Sequence, residues 1–161
     1  MSFDSRFAAL AFAGKVRIEQ LQVSCAVVPD VQGVYAVVRE CVTPVQFLAA
    51  SSGGYFKKRD PSVDIATLQE RWLPQAKVLY LGKAGGAGLG STLRKRLHTY
   101  MQFGLGRPCA HWGGRYIWQL VDARQLVVLW APTSEPAQTE SLLLDEFMQS
   151  YGQLPFANLR R

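Results

Sequence analysis

The sequence predicts an α+β fold in which helices pack on a small β-sheet, and three observations support this prediction. Short segments with strand-like composition alternate loosely with segments of helical periodicity. The chain has 161 residues, of which 48% are hydrophobic and 19% charged, a balance that suits a globular domain and argues against disorder. No internal repeat or low-complexity tract interrupts the pattern, so we expect a single domain.

Five segments are rich in β-branched and aromatic residues and are bounded by turn-forming residues, as β-strands are. They cover residues 23–28, 33–41, 77–82, 115–120 and 125–132. Pro29 and the Gln32-Gly33 step separate the first two predicted strands. The short segment 121–124 joins the last two.

Four helices are expected between and around these strands. They cover residues 5–12, about 60–72, 91–103 and about 135–151. Asp60 or Ser62 could cap the second helix. The fourth has the clearest ends, because Ser134 is a suitable N-cap, Pro136 stands in the first turn and Gly152 is a stop signal.

A glycine-rich loop joins the strand at 77–82 to the helix at 91–103, but it does not match the known nucleotide-binding patterns. A Walker loop has its lysine after the last glycine, whereas Lys83 precedes this loop and Ser91 follows Gly90. A dinucleotide loop needs a third glycine where Ser91 stands, and no acidic residue follows at the required distance. The loop therefore does not favour an enzyme that binds a small nucleotide.

The charge of the chain favours an anionic partner. The formal net charge is +6 and the isoelectric point is near 9.5. The positive charge is concentrated at Lys57-Lys58-Arg59, Arg94-Lys95-Arg96 and Arg160-Arg161. Nucleic acid is thus a plausible partner on charge alone.

The three cysteines and the apolar segments limit the compartment. Cys25, Cys41 and Cys109 are odd in number and far apart, so they indicate reduced thiols and neither a disulfide framework nor a zinc site. No apolar run is long enough to span a bilayer, and no export signal precedes the chain. We therefore expect a cytoplasmic protein with no membrane partner.

The helix that follows the glycine loop carries an apolar stripe with basic borders. The stripe consists of Leu93, Leu97, Tyr100 and Met101. Arg96 lies beside Tyr100 on one border, and Arg94 and His98 lie on the other. An arginine held by packing at such a border suits a phosphate clamp, although a solvated basic face is the alternative that spacing alone favours.

Five features in order along the chain carry a family resemblance. They are Gly33-Val34-Tyr35, Tyr80-Leu81-Gly82, the Leu93–Tyr100 pattern L-x-x-R-L-x-x-Y, Glu140 in the last helix and Asn158 near the C-terminus. Together they resemble the GIY-YIG nuclease superfamily over residues 31–161. The stretch from Tyr80 to Tyr100 is most similar to the nuclease domain of bacterial excision-repair enzymes.

The resemblance implies a small, mostly antiparallel sheet flanked by helices. Residues 1–30 would form an N-terminal extension packed on the domain, and residues about 42–77 would be an insertion between the first two motif strands. The implied activity is that of a metal-dependent endonuclease hydrolysing phosphodiester bonds of nucleic acid, with DNA as the expected partner. A non-catalytic nucleic-acid-binding module that retains the fold is the alternative.

The resemblance also assigns roles to individual residues. Tyr35 and Tyr80 would be the motif tyrosines, one of which assists proton removal from the attacking water. An ordinary tyrosine is a poor base at neutral pH, but Lys83 and Arg96 are cations that could stabilise a phenolate. Arg96 would stabilise charge on the scissile phosphate. Without these roles, both tyrosines are explained by β-propensity alone.

Glu140 is the expected ligand of a single Mg²⁺ or Mn²⁺, which takes few carboxylates and keeps several waters. Apolar residues follow it at positions +3, +4, +7 and +11, so it lies on the buried face of its helix. A carboxylate in that position is costly unless it is paired or bound to metal.

Three further site residues follow from the resemblance. Tyr100 could contact the phosphate or the water. Some family branches place a histidine four residues after the arginine, which Arg94 and His98 would satisfy, but Arg96 and Tyr100 fit the leucine positions better. Asn158 is expected to tie the C-terminal segment to the site by hydrogen bonds.

Six basic residues are expected to contact the nucleic acid. They are Lys57, Lys58, Arg59, Arg94, Lys95 and Arg115. The first three lie in the insertion next to aromatic residues, a mixture that suits phosphate contact and base stacking. Residues 110–118 form a second candidate surface, and recognition through a protein partner is a further alternative.

Overall fold

The computed structural model describes residues 3–88 and 90–161, and within them four strands form one antiparallel sheet. The strands are β1 (Gly14–Arg17), β2 (Gly33–Val38), β3 (Val78–Ala84) and β4 (Val127–Pro132). Their order across the sheet is β1-β4-β2-β3, and every neighbouring pair is antiparallel. The predicted α+β class with a mostly antiparallel sheet is therefore confirmed.

Helices cover both faces of this sheet. The α-helices are α1 (Phe3–Ala9), α2 (Ile18–Val23), α3 (Ile65–Arg71), α4 (Leu93–Gly104) and α5 (Pro136–Tyr151). Two short 3₁₀-helices, Arg115–Gln119 and Ala123–Gln125, precede β4. Among the described residues, no helix has the length and apolar character needed to cross a lipid bilayer.

Alternation along the strands divides the buried residues into two cores. Tyr35 and Val37 of β2 face α4 and the first 3₁₀-helix, where they pack with Leu97 and Trp118. Side chains of the opposite parity face α5, where they join Leu143, Leu144 and Phe147. Since successive strand residues point to opposite faces, one strand contributes to both cores.

The N-terminal 30 residues are more than an extension packed on the domain. The strand β1 pairs with β4 at the edge of the sheet. The Phe3 ring of α1 lies 4.9 Å from the Phe147 ring of α5, edge to face. This segment therefore completes both the sheet and the second core.

Region 42–77, predicted as an insertion, packs against the first core. Leu68 of α3 is fully buried. The rings of Phe47 and Trp72 lie 6.0 and 5.2 Å from the Phe156 ring. The backbone of Phe47 also bridges to Leu120. The insertion is thus part of the domain and has no separate core.

Two of the five predicted strands are wrong. The segment at 23–28 follows α2 as a turn, in which Val28 N–H donates to the Cys25 carbonyl (3.0 Å). The segment at 115–120 is the 3₁₀-helix Arg115–Gln119, because it follows Gly114 in a left-handed conformation and buries successive side chains instead of alternate ones. The strand β1 was not predicted; its four residues are half-buried and exposed in alternation, and none is fully buried.

Helix ends differ from the expected positions by a few residues. Asp64 precedes α3, where Asp60 or Ser62 was expected, and Glu135 precedes α5 in place of Ser134. Pro136 in the first turn and Gly152 with a left-handed φ of 76° agree with the expected ends of α5. The Thr92 side chain accepts from Lys95 N–H and caps α4.

The C-terminal segment lies along the free edge of β3 and is fixed there by Asn158. Its Oδ1 accepts from Leu81 N–H (2.9 Å), and its Nδ2 donates to the Leu81 carbonyl (2.8 Å). Ala157 N–H also donates to the Leu79 carbonyl (2.8 Å). An amide side chain thus satisfies both backbone groups of one residue at the exposed edge of a sheet.

Replacement of Asn158 by alanine should destabilise the protein by about 2–4 kcal/mol, because the N–H and C=O groups of Leu81 are buried and would lose their partners. Urea denaturation measures this loss as a change in the free energy of unfolding. Gln153→Ala is the matched control, since it removes one half-buried hydrogen bond to the Arg71 carbonyl and should cost less than about 1.5 kcal/mol. Equal, small losses in both variants would contradict this role of Asn158.

Candidate active site

The register of β2 and β3 brings the two motif tyrosines together. Tyr35 lies opposite Gly82, and Tyr80 lies opposite Val37, so both tyrosines are on the same face. Their ring centroids are 6.0 Å apart. A Cβ on residue 82 would lie 2.4 Å from Cζ of Tyr35. The glycine of Tyr80-Leu81-Gly82 is therefore the space in which the Tyr35 ring lies.

The helix α4 brings Arg96 to these tyrosines. Leu93 and Leu97 are fully buried and fix the rotation of the helix. Arg96 is half-buried and lines the same cleft as Tyr80. Its charge acts on both Tyr35 and Tyr80.

The alternative pair Arg94 and His98 lies on the other side of α4. Arg94 Nε donates to the Val28 carbonyl (2.7 Å). Both residues line a separate groove against α2, together with Lys95. Of the two pairs that the sequence left open, the structure brings only Arg96 and Tyr100 to the tyrosines. The assignment of His98 to the site is thus corrected. Arg94 and Lys95, which are expected to contact nucleic acid, lie in this groove on the side of α4 away from the tyrosines.

Tyr100 is completely buried, which corrects the expectation that it contacts phosphate or water. Its hydroxyl donates to the Gly114 carbonyl (2.7 Å). Its ring packs edge to face against Tyr80, with the centroids 5.7 Å apart. Tyr100 therefore supports the Tyr80 ring from behind.

Gly114 has to be glycine at this point of the structure. Its φ is 77°, and a Cβ there would lie 2.8 Å from the Tyr100 hydroxyl and 2.9 Å from the Tyr80 ring. The loop that connects α4 to the first 3₁₀-helix can approach the tyrosines only because this residue has no side chain.

His111 is a member of the site that the motifs did not identify. Its ring stacks on Tyr100 with the centroids 4.1 Å apart and an angle of 9° between the planes. Nδ1 lies 2.8 Å from the Gly113 carbonyl, and Nε2 lies 3.3 Å from the Tyr35 hydroxyl. A carbonyl can only accept, so Nδ1 carries the proton and Nε2 accepts from Tyr35.

Burial controls the protonation of this cluster. It raises the pKa of Tyr35, and the nearby charge of Arg96 opposes the rise without cancelling it. It also raises the pKa values of Tyr80 and Tyr100 well above the ordinary value. The expectation that nearby cations make a phenolate available is therefore wrong for this state of the protein, in which the phenols remain protonated.

The same environment acts on the two basic groups. Burial, together with the charge of Arg96, lowers the pKa of His111 to about 3, so its imidazole is neutral. Partial burial would lower the pKa of Arg96, but Tyr35, Tyr80 and Glu140 outweigh it and raise that pKa. Arg96 therefore remains a cation.

A cleft of about 820 Å³ opens in front of the tyrosines. Predicted site residues that line it are Tyr80, Lys83, Arg96, Arg115, Glu140 and Asn158. Tyr35 lies immediately behind Tyr80 and is only 1% exposed. Arg160 and Arg161 lie at the rim and add positive charge.

Glu140 lies in this cleft with a partner of its own. Its Oε2 is 2.7 Å from Nζ of Lys83, and its side chain is 18% exposed. The ion pair already offsets the cost of placing the carboxylate on the buried face of α5. The position of Glu140 therefore does not by itself require a metal.

Among the described residues that line the cleft, Glu140 is the one Asp or Glu side chain that a divalent metal could meet. Among the described residues, no cluster of three or more His, Cys, Asp and Glu side chains could hold a metal ion. Glu140 supplies one carboxylate, and one of its oxygens is paired with Lys83. Mg²⁺ keeps several waters and binds substrate phosphates, so water and a phosphate would have to complete its coordination here.

Of the remaining basic residues expected to contact nucleic acid, Arg115 lines the cleft and Arg59 contacts a ring that lines it. Arg115 lines it beside Trp112. Arg59 reaches the same indole from the insertion, with Cζ 5.3 Å from the ring centroid. Lys57 and Lys58 form the exposed tip of the turn that carries Arg59.

No protein-family model matches the chain, and neither a curated protein nor a solved structure does. The interpretation of the cleft therefore rests on its geometry and on the motifs in the sequence.

His111 should make folding sensitive to acid. The unfolded chain takes up a proton near pH 6.5 that the folded protein does not take until about pH 3. The free energy of unfolding should therefore fall, as the pH is lowered through this range, by about 1.4 kcal/mol per pH unit from this residue alone. Urea denaturation at several pH values between 7 and 4 measures the free energy of unfolding of wild type and of His111→Gln. The difference between these two free energies should become smaller as the pH falls.

If the free energies of unfolding of wild type and His111→Gln changed in parallel with pH, the neutral, buried state assigned to His111 would be contradicted.

Proposed function

We propose that this chain is a GIY-YIG-type endonuclease that hydrolyses phosphodiester bonds of nucleic acid, with DNA as substrate and a divalent metal as cofactor. The observation that supports it is the convergence of Tyr80, Arg96 and Glu140 in one cleft, with Tyr35 directly behind them. These side chains come from β2, β3, α4 and α5, and a fold in which they had only structural roles would not need to gather them.

Arg96 is the residue suited to hold the scissile phosphate. Its guanidinium lines the cleft and remains charged. The packing of Leu93 and Leu97 holds the turn of α4 from which it projects. A fixed guanidinium can donate two parallel hydrogen bonds to a phosphate and stabilise the charge that develops there.

Tyr80 is the tyrosine that faces the cleft, and Tyr35 and His111 lie inward of it. The Tyr80 and Tyr35 ring centroids are 6.0 Å apart, and the Tyr35 hydroxyl donates to Nε2 of His111. A hydrogen bond from the Tyr80 hydroxyl to that of Tyr35 would complete a path that takes a proton from a water in the cleft to His111. Burial is the main cause of the low pKa of His111, and a phosphate bound to Arg96 would offset the smaller contribution of the Arg96 charge and make Nε2 a better acceptor.

In the proposed hydrolysis, the oxygen of one water bonds to phosphorus, and the bond from phosphorus to the leaving oxygen breaks. The water loses a proton to the Tyr80 hydroxyl, Tyr80 passes its hydroxyl proton to Tyr35, and Tyr35 passes its hydroxyl proton to His111. The leaving oxygen takes a proton from solvent. A metal ion at Glu140 would supply charge stabilisation at the leaving oxygen.

Cleavage should depend on metal and on Glu140. Wild type incubated with single- and double-stranded DNA and RNA should cut at least one of them in Mg²⁺ or Mn²⁺ and none in EDTA. Glu140→Gln should lower the cleavage rate by about 100-fold or more, since one ligand of an ion that stabilises the transition state is lost. Product formation is measured by denaturing gel electrophoresis.

The control for this substitution lies on the same helix. Glu135→Gln changes an exposed carboxylate that precedes α5 and should cut at the wild-type rate. Binding of nucleic acid without metal-dependent cleavage would overturn the proposal in favour of a non-catalytic binding module. Cleavage that survives Glu140→Gln would refute the role of Glu140.

Metal binding should depend on the substrate, because the cleft offers a single carboxylate that is already paired with Lys83. Electron paramagnetic resonance of Mn²⁺ should show little loss of the free-ion signal with protein alone. A larger loss is expected when protein and uncleaved nucleic acid are present together, beyond the loss with nucleic acid alone. Equal Mn²⁺ binding with and without nucleic acid would refute a shared metal.

A further inference from the structure

We propose that Arg115 and Arg59, held on the Trp112 ring at one end of the cleft, bind a phosphate of the nucleic-acid strand next to the scissile one. The proposal rests on the proposed function and adds to it a second phosphate site, which makes the enzyme require a continuous strand on this side of the cut.

Aromatic rings fix the Arg115 guanidinium. Its Cζ lies 4.5 Å from the Trp112 ring centroid and 5.3 Å from that of Tyr116. Its Nη1 donates to the Trp112 carbonyl (3.4 Å). An arginine held between rings and a carbonyl loses little entropy when it binds an anion.

The two guanidiniums carry charge that the described part of the protein does not neutralise. Arg6, Arg39 and Lys83 each pair with a carboxylate. No ion pair of this kind involves Arg59 or Arg115 among the residues described. Nε of Arg115 is buried without a hydrogen-bond partner, and burial together with the charge of Arg59 lowers the pKa of Arg115.

An anion that contacts both side chains would neutralise this excess charge. It would accept hydrogen bonds from both guanidiniums and screen their mutual repulsion. A buried, unpartnered donor beside an uncompensated second charge is the arrangement expected of a site for an anion.

Two backbone hydrogen bonds between Phe56 and Arg59 fix the turn that carries Arg59. Phe56 N–H donates to the Arg59 carbonyl (3.1 Å), and Arg59 N–H donates to the Phe56 carbonyl (2.9 Å). Between them, Lys57 and Lys58 have φ of 50° and 63°, values that favour glycine or asparagine. The Phe56 ring also contacts Trp112, with the centroids 6.2 Å apart.

A turn with two lysines in left-handed conformations presents positive charge in spite of the backbone cost. Because Phe56 and Arg59 both pack on Trp112, the insertion is fastened to the same indole that lines the cleft. The insertion therefore brings Arg59 to the indole beside Arg115, with Lys57 and Lys58 on the same turn.

The position of this cluster selects a polymer as its ligand. Trp112 and Arg115 line the same cleft as Arg96 and Glu140. An anion held by Arg115 would therefore neighbour the phosphate held by Arg96. Nucleic acid supplies such consecutive phosphates at regular spacing, whereas a free phosphomonoester can fill only one of the two sites.

The first test measures binding without cleavage. Fluorescence anisotropy of labelled DNA in EDTA should show about 10-fold weaker binding by Arg115→Gln, with the slope of log affinity against log salt reduced by about one. Arg59→Gln changes a residue on the exposed turn and should also weaken DNA binding and reduce the salt dependence. It replaces Arg115→Gln as the test if that variant, changed at a half-buried position, does not fold. Arg124→Gln removes an exposed arginine elsewhere and is the matched control, with affinity unchanged.

The second test locates the contact on the substrate. Single methylphosphonate groups, which remove the charge of one phosphate, are placed in turn along the strand. One position beside the cut should weaken binding by wild type and have no effect on binding by Arg115→Gln.

The outcomes separate this site from the proposed function. Wild-type affinity and salt slope in both Arg115→Gln and Arg59→Gln would overturn the phosphate site even if the enzyme cuts DNA. An Arg115-dependent methylphosphonate effect without any cleavage would support the phosphate site and overturn the endonuclease. If polyglutamate displaced the labelled DNA as effectively as unlabelled DNA does, the nucleic-acid assignment would be overturned in favour of an acidic protein partner.

Discussion

The contact of the Tyr35 ring with Gly82 is the constraint on which the rest of the site depends. The antiparallel register of β2 and β3 sets Tyr35 opposite a residue without a side chain, and the ring occupies the space above it. A shift of one residue between the two strands would move one of the tyrosines to the opposite face, toward α5, and separate it from the other. Because Asn158 ties the C-terminal segment to the outer edge of β3, the same strand that presents Tyr80 is fixed on both of its sides.

Burial gives this cluster chemical properties that its composition does not suggest. The phenols keep their protons, and His111 stays neutral with Nε2 directed at Tyr35. In our proposal the basic side chains in front of them form two phosphate sites, one at Arg96 and one at Arg115. The neutral interior and the charged cleft would then have separate tasks, the interior moving a proton and the cleft holding a polyanion.

The sequence indicated those parts of the candidate site that lie on regular elements. The motif resemblance singled out Tyr35, Tyr80 and Arg96, and the apolar positions after Glu140 orient its helix. His111 had no such signal, because its place beside Tyr35 results from a loop that returns to the sheet through Gly114, and such a path depends on tertiary packing.

Arg115 lies in a segment that has the composition of a strand but folds as a 3₁₀-helix, so its position could not be predicted either. Helical spacing placed Tyr100 in the apolar stripe of α4, in agreement with its burial. The contact with phosphate or water came from the resemblance, which carries no information on how the loop before the 3₁₀-helix covers this ring.

The central claim is that the inward chain from Tyr80 through Tyr35 to His111 activates water for hydrolysis, and the cleavage rate of Tyr35→Phe tests it most directly. This change keeps the ring above Gly82 and removes only the hydroxyl that joins Tyr80 to His111. At saturating nucleic acid with Mg²⁺, the account predicts a fall in single-turnover rate of about 100-fold or more, with nucleic-acid affinity retained. A Tyr35→Phe variant that cuts at the wild-type rate would contradict it.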